Sequence, residues 1–352
     1  MATMLERIRG ILSATFINYE DVAEILAVAF TAKKNVILWG PAGHAKSAMV
    51  GAVIRGLGIG AETFIQSFGE GLDEAALWGG LDFQKLEDEK ILEYHPERSF
   101  LASRIAVFEE VFDAPAAVLL ALKDTLTAGA LRKGAQQFPM TTEVVIGLTN
   151  REPQEIADLG PAAQALVERF PLQLRVSWPS YIAADYAAMY EKAPSALNGF
   201  TPILAEVIAR AVAGGQFVSP RTAMYAREAV IGRAAARGAT RVEKEDLSVL
   251  RFVPGLEKLG ATMATEVEAA MARAAATEAL AGFELRLKSV VAEMGDTPIK
   301  ALQTVKRLTV LEAEAASLAV PDDLVKRRDA LRQGVGKKIA EARRRAEDLT
   351  RI

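Results

Sequence analysis

The residues Gly40-Pro41-Ala42-Gly43-His44-Ala45-Lys46-Ser47 form the stretch whose types and spacing most plainly suit chemistry. An apolar run, Asn35-Val36-Ile37-Leu38-Trp39, precedes them, and a helix-like run from Ala48 to Ile54 follows. A nucleoside triphosphate needs that order of strand, glycine-bearing loop and helix. Loop amides and the helix N-terminus cradle phosphates, the lysine reaches the terminal ones, and the serine hydroxyl binds Mg2+. The common pattern G-x-x-x-x-G-K-[ST] sets glycine directly before the lysine. Here that residue is Ala45, so the octet alone leaves the assignment open.

Four further features fall at useful places. Glu109-Glu110 closes the apolar run Arg104-Ile105-Ala106-Val107-Phe108. A strand-end acid beside a phosphate loop can hold the Mg2+ shell, and its neighbour can activate water. Without the loop, the same pair reads as a strand leaving the core into a solvated acidic turn. Asn150 ends the run Val144-Val145-Ile146-Gly147-Leu148-Thr149. Its carboxamide can orient water or touch a γ-phosphate, or it can simply open a turn. Arg169, in Glu168-Arg169-Phe170, can stabilise transition-state charge across an interface. A surface ion pair with Glu168 is the better account of a lone arginine. Arg221 follows Ser219-Pro220 at a helix start and is either a γ-phosphate contact or an exposed helix arginine. His44 reads as an exposed loop tip, and Trp78, Phe83, Tyr94 and Phe100 as a small packing cluster.

The elements that must position these residues are also legible. Residues 1–30 have helical spacing. Apolar β-type runs recur at 35–39, 63–66, 104–108, 143–149 and 172–176, with helix-like segments such as 115–127 between them. That alternation predicts a mainly parallel sheet with covered faces, whose ligands sit at the carboxyl ends of the strands. Residues 68–103 make an irregular connection long enough to be functional. After Trp178-Pro179-Ser180 the strand signals stop, and 181–250 reads as a small helical unit with a loop at 214–220. From about 256 the chain is rich in Ala, Glu, Arg and Leu, predicting two or three long helices. Breaks fall near Gly295-Asp296-Thr297-Pro298 and Val320-Pro321-Asp322, as in a helical hairpin or coiled coil.

Composition narrows the classes. The 352 residues can hold roughly two domains. Net charge is −3, so no basic field points to nucleic acid. Lys326-Arg327-Arg328 and Arg343-Arg344-Arg345 make the last helices basic, and a solvated helix face accounts for them better than a nucleic-acid contact. Cysteine is absent and histidine occurs twice, which excludes thiolate sites, disulfides and His-rich metal sites. No apolar run is long enough to span a bilayer, and Met1-Ala2-Thr3-Met4-Leu5-Glu6-Arg7 does not read as a signal peptide. A cytoplasmic protein is the expectation.

Taken in order, residues 40–47, Glu109-Glu110, Asn150, Glu168-Arg169-Phe170 and Ser219-Pro220-Arg221 resemble the AAA+ ATPases, and within them the MoxR family. MoxR-type loops commonly read Gly-Pro-Pro-Gly-x-Ala-Lys-Ser, which turns Ala45 into a family mark. The resemblance covers about residues 15–250. It implies an α/β AAA+ P-loop core with a mainly parallel five-stranded sheet over 1–180, an all-helical lid over 181–255 and a helical extension over 256–352. Residues 68–103 fall where this clade inserts into helix 2, and 129–142 where a hairpin precedes sensor 1.

The resemblance also implies roles. Gly40, Pro41, Ala42, Gly43, His44 and Ala45 wrap ATP, Lys46 binds its β/γ-phosphates, and Ser47 holds Mg2+. Glu109 takes the place of the usual Walker B aspartate, Glu110 polarises water, and Asn150 is sensor 1. Arg169 is the arginine finger acting on a neighbouring subunit, and Arg221 is sensor 2. Glu109 departs from the family by one methylene, and Mg2+ tolerates little distortion, so binding intact with slowed turnover is expected. MoxR relatives imply a homo-oligomeric ring, expected hexameric, that hydrolyses ATP to remodel, activate or assemble partner proteins, with a von Willebrand factor A domain protein as partner. Two other readings stay open: a motor subunit of a metal chelatase or Rubisco-activase-like complex, and a nucleotide-gated scaffold with vestigial hydrolysis.

Overall fold

The computed structural model describes residues 2–90, 93–133, 136–177, 182–193, 199–257, 263–295 and 297–350. The boundary at Trp178-Pro179-Ser180 and the break residue Asp296 lie outside the described residues, as does the hairpin tip at 134–135. The chain divides into two compact units. The first holds residues 1–181, 188–195 and 219–225, and the second holds 182–187, 196–218 and 226–352.

In the first unit the expected strands form as β1 (Val36–Trp39), β2 (Thr63–Ser67) and β3 (Ile105–Glu109). A hairpin follows, β4 (Ala130–Lys133) and β5 (Gln136–Pro139), then β6 (Val144–Thr149) and β7 (Leu172–Arg175). Five of them make a parallel sheet in the order β2-β3-β6-β1-β7, and β4 pairs antiparallel with β5. Parallel pairing is possible because each connection between successive strands of the sheet is longer than the dozen or so residues that a crossover needs. Both faces are covered, so the inner strands lack polar alternation: every residue of β6 is buried.

Successive β1 side chains enter different cores. Ile37 packs with Phe108, Phe112, Leu122, Leu166 and Phe170. Val36 and Leu38 pack with Leu26, Met49, Val53 and Ile146. The second core is covered by helices Met4–Ser13, Glu20–Ala32 and Lys46–Leu57. The first of these starts at a capping box, in which Thr3 and Glu6 satisfy each other's backbone amides at 3.2 and 2.7 Å. The predicted helix at 115–127 runs Ala116–Ala128 and covers the other face.

The segment 68–103 contains only short helices, Glu74–Leu77 and Phe83–Asp88, with 3-10 turns around residues 96–102. Trp78 and Phe100 are fully buried and Tyr94 packs against them, as the cluster reading expects. Phe83 corrects that reading, since it is 68% exposed. It opens a six-residue helix that is too short to shelter one face.

Among its described residues the second unit contains helices and loops and no strand. Helix Thr201–Ala213 is followed by the loop at 214–219, and of the next helix, Pro220–Ala236, residues 226–236 belong to this unit and 220–225 to the first. Asp246 is fully buried and anchors the 3-10 helix Lys244–Phe252 through Arg237 at 2.9 Å. Three long helices, Met263–Ala292, Pro298–Ser317 and Asp322–Thr350, share a core of Phe283, Leu308, Val335 and Ile339. Arg327 and Arg328 of the first basic triplet pair with Glu284 and Asp329, each at 2.9 Å.

Candidate active site

Strand register brings the proposed site residues to one edge. Trp39 lies opposite Thr149 and Arg175, and Glu109 lies opposite Leu148 and Ser67. The residues following β1, β3 and β6 therefore leave the sheet together at its carboxyl end.

The loop after β1 is held by close backbone contacts. Gly40 has φ +134°, and a Cβ there would meet the Val176 carbonyl oxygen at 2.5 Å. Gly43 has φ +83°, and a Cβ there would meet Ser219 Oγ at 2.4 Å. Ala45, at φ +61°, is the left-handed residue that starts helix Lys46–Leu57. The usual glycine of the pattern is thus replaced by alanine while its conformation is kept. Ser47 is exposed on the first turn of that helix.

Lys46 is only 6% exposed. Its ammonium donates to the carbonyls of Gly40 at 2.6 Å and Pro41 at 3.0 Å, and to Asn150 Oδ1 at 2.8 Å. Burial pushes its pKa down to about 8, opposed by the Glu110 carboxylate and reinforced by Arg221. Asn150 completes a chain. Its Nδ2 donates to Glu110 Oε1 at 2.5 Å and its backbone amide to Glu110 Oε2 at 3.2 Å. Glu110 itself is left-handed, at φ +51°.

Glu109 accepts from Ser67 Oγ at 3.2 Å, and its carbonyl accepts from the Phe68 amide at 2.8 Å. Arg221 stands beside the loop, with its backbone amide donating to the Gly43 carbonyl at 3.2 Å. Arg169 is not brought to this edge. Its carbonyl accepts from Asn35 Nδ2 at 3.0 Å, at the amino end of β1, and β1 separates the two ends by about 13 Å. The Arg169 guanidinium bonds Thr127 Oγ1 at 2.8 Å and pairs with Glu168 at 3.4 Å.

His44 corrects the loop-tip expectation, being 5% exposed. Its Nδ1 lies 3.2 Å from the Ala42 carbonyl oxygen. Burial holds its pKa below the ordinary imidazole value, more than the Ala42 contact raises it. The ring folds back on its own loop because φ +83° at Gly43 turns the chain there.

Several residues at this edge escape sequence reading. Arg175, at the end of β7, pairs with Glu152 at 2.8 Å and lies 5.7 Å from the Trp39 ring centroid. Arg151 pairs with Asp113 at 2.7 Å. An apolar cavity of about 280 Å³ opens beside the loop, lined by Phe16, Ile17, Ala45, Met189, Met224 and Tyr225 among others, all in the first unit. Lys192 borders it and donates to the Ser13 carbonyl at 2.5 Å. No motif announces this cavity, because its walls come from four separate stretches of chain. The doublet Asn150-Arg151 is the one signal available for Arg151, through its place next to a proposed site residue.

Among the described residues, no cluster of three or more His, Cys, Asp or Glu side chains could hold a metal ion. A serine hydroxyl with one carboxylate instead suits Mg2+, which keeps waters and takes substrate phosphates as ligands.

The chain is similar to a family of known proteins. The model of the MoxR domain in the MoxR-vWA-beta-propeller ternary systems matches residues 3–184, just over half of the chain. Among curated proteins none matches. A solved Cytophaga hutchinsonii protein described as a candidate ATPase is 15% identical, with 73% of this chain and 84% of that one covered at a TM-score of 0.40. A RuvB point mutant from Thermotoga maritima is 19% identical, with 72% of this chain and 73% of that one covered at a TM-score of 0.46. Among the described residues, no helix is long and apolar enough to cross a membrane.

Proposed function

The chain belongs to the MoxR family of AAA+ ATPases, and from that premise we propose that it binds ATP at the loop of residues 40–47 and hydrolyses it to drive work on partner proteins. The observation that carries this reading is the hydrogen-bonded chain Lys46–Asn150–Glu110 at the carboxyl edge of the sheet. It joins a phosphate-binding cation to a water-activating carboxylate through one carboxamide.

The residues divide the work. The loop glycines let backbone amides approach the phosphates, and the N-terminus of helix Lys46–Leu57 favours their negative charge. The Lys46 ammonium exchanges the Gly40 and Pro41 carbonyls for phosphate oxygens. The apolar cavity beside Ala45, lined by Met189 and Met224, would take the base. Mg2+, where bound, neutralises phosphate charge, and Ser47 and Glu109 are the residues that would hold it. Glu110 accepts the proton of the attacking water while Asn150 fixes the carboxylate's direction. Arg221 supplies positive charge beside the loop.

Arg169 stands at the other end of β1, so its charge suits the site of a neighbouring copy. Head-to-tail repetition of that contact gives a ring when the rotation closes, and six copies are the family expectation. The matching family is named for systems that pair the MoxR domain with a vWA protein and a beta-propeller. A von Willebrand factor A domain protein is accordingly the partner proposed here.

The test is steady-state ATP turnover by the full chain with and without Mg2+, beside the Glu110→Gln variant. Magnesium-dependent phosphate release by the wild type, lost in the variant with ATP still bound, supports the reading. A wild-type rate no higher than that of Glu110→Gln would sink it. Glu110→Gln, holding ATP without turning over, is also the form to incubate with a vWA partner for co-purification.

A further inference from the structure

We infer that Asp113 and Arg151 form a clamp that positions Glu110 and Asn150. The inference rests on the ATPase reading above and adds two residues to it. Glu110 and Asn150 occupy separate turns, one after β3 and one after β6. Their side chains meet at 2.5 Å. Three residues beyond Glu110, and one beyond Asn150, the same two turns meet again, where Asp113 Oδ1 accepts from Arg151 Nε at 2.7 Å.

Each end of this second contact is tied to the residue it would position. The Asp113 amide donates to the Glu110 carbonyl at 2.9 Å, closing the 3-10 turn Val111–Asp113. The Arg151 amide donates to Thr149 Oγ1 at 3.1 Å, on the residue before Asn150. A movement of either turn therefore moves a proposed active-site residue with it.

Backbone conformation gives the clamp a reason to exist. Glu110 is left-handed at φ +51°, a conformation that disfavours side chains other than glycine. Strain of this kind persists where the surroundings over-determine it. Two contacts, Asn150 to Glu110 and Arg151 to Asp113, fix the turn at both of its ends. One contact alone would let the turn pivot and the Glu110 carboxylate leave the direction of the attacking water. Both partners of the ion pair are 38% exposed. In stability alone such a pair contributes little, which makes the two roles separable by experiment.

The experiment compares the full chain with Arg151→Gln, Asp113→Asn and the charge-swapped double variant Asp113→Arg with Arg151→Asp. Turnover, affinity for a fluorescent ATP analogue, and hydrogen exchange of peptides covering 110–113 and 149–151 are measured on each. Each single variant should lose about tenfold in kcat, since small misplacements of a positioned group cost rate steeply, with nucleotide affinity within about twofold of wild type. Exchange should rise in those two peptides, and the swap should recover most of the rate and the protection. Unchanged exchange overturns the clamp whether or not the wild type hydrolyses ATP. Unchanged turnover, failure of the swap to recover, or loss of nucleotide affinity along with rate also overturns it. A wild type without turnover removes the ATPase reading, and the exchange arm still decides the clamp.

Discussion

Asn150 holds Glu110 by two hydrogen bonds, from its carboxamide at 2.5 Å and its backbone amide at 3.2 Å, while its carboxamide oxygen receives the Lys46 ammonium at 2.8 Å. A single residue thus bonds both the lysine and the carboxylate on which the proposed function rests. Asn150→Ala removes the carboxamide bonds and leaves the amide bond. Glu110→Gln keeps a group of the same size but cannot accept the water's proton. Turnover should fall about 10²-fold or more in both, the range for a lost general base. Equilibrium binding of ATP should survive Glu110→Gln and weaken in Asn150→Ala, where Lys46 loses an oxygen ligand. Filter binding alongside phosphate release separates these outcomes.

Lys46 gives a pH dependence with a definite sign. Its pKa in the folded protein lies near 8, below the ordinary lysine value, so it is charged at neutral pH and neutral well above 8. Bound phosphate favours the charged form, so binding at high pH must take up a proton. ATP affinity should therefore be flat below pH 8 and weaken above it, approaching tenfold per pH unit. For folding, the sign is opposite. The unfolded chain binds the extra proton between about pH 8 and the ordinary lysine range, so stability contributed by this group rises with pH there. Titration of analogue binding from pH 7 to 9.5, with Lys46→Met as the control without the slope, checks the first statement.

The two left-handed loop residues should answer substitution in opposite ways. Ala45 sits at φ +61°, and glycine there avoids the left-handed penalty while gaining unfolded-chain entropy. Ala45→Gly should be neutral to stabilising by about 1 kcal/mol, with nucleotide binding retained. Gly43→Ala introduces both a strained φ and a Cβ 2.4 Å from Ser219 Oγ. It should destabilise by about 2 kcal/mol or more and abolish nucleotide binding. Thermal melts with and without ATP distinguish the two.

The contrast marks what a sequence can disclose about such a site. All five sheet strands were legible: the inner ones are continuous apolar runs, with β6 buried from Val144 to Thr149, and the edge strands β2 and β7 are short β-type runs left partly exposed. The C-terminal region was legible as two or three long helices with breaks near Pro298 and Pro321, and three form. Side-chain direction was not. His44 faces inward because Gly43 turns the backbone, and a loop position does not record the φ of its neighbour. Phe83 faces outward because its helix is too short to shelter it. The Arg151–Asp113 pair and the cavity lined by Phe16 and Met224 depend on contacts across distant stretches, which no local pattern encodes. Arg169 was legible as a candidate, and its place at the far end of β1 came only from the register.

That place leads to the last prediction. An arginine at the amino end of β1 cannot reach the loop at the carboxyl end of the same strand, so the site proposed for it is that of another copy. Arg169→Ala keeps its own Glu110, and Glu110→Gln keeps its own Arg169. Each variant assembled alone should be inactive, because every site lacks one of the two groups. In an equal mixture that assembles at random through head-to-tail contacts, about a quarter of the sites combine an intact Glu110 with a neighbour's intact Arg169. Phosphate release should then recover to about a quarter of the wild-type rate if the sites turn over independently. Mixing after assembly, under conditions where subunits do not exchange, should recover nothing. A mixture no more active than its components would show that Arg169 does not complete a neighbour's site, and that its bond to Thr127 and pairing with Glu168 are its whole role.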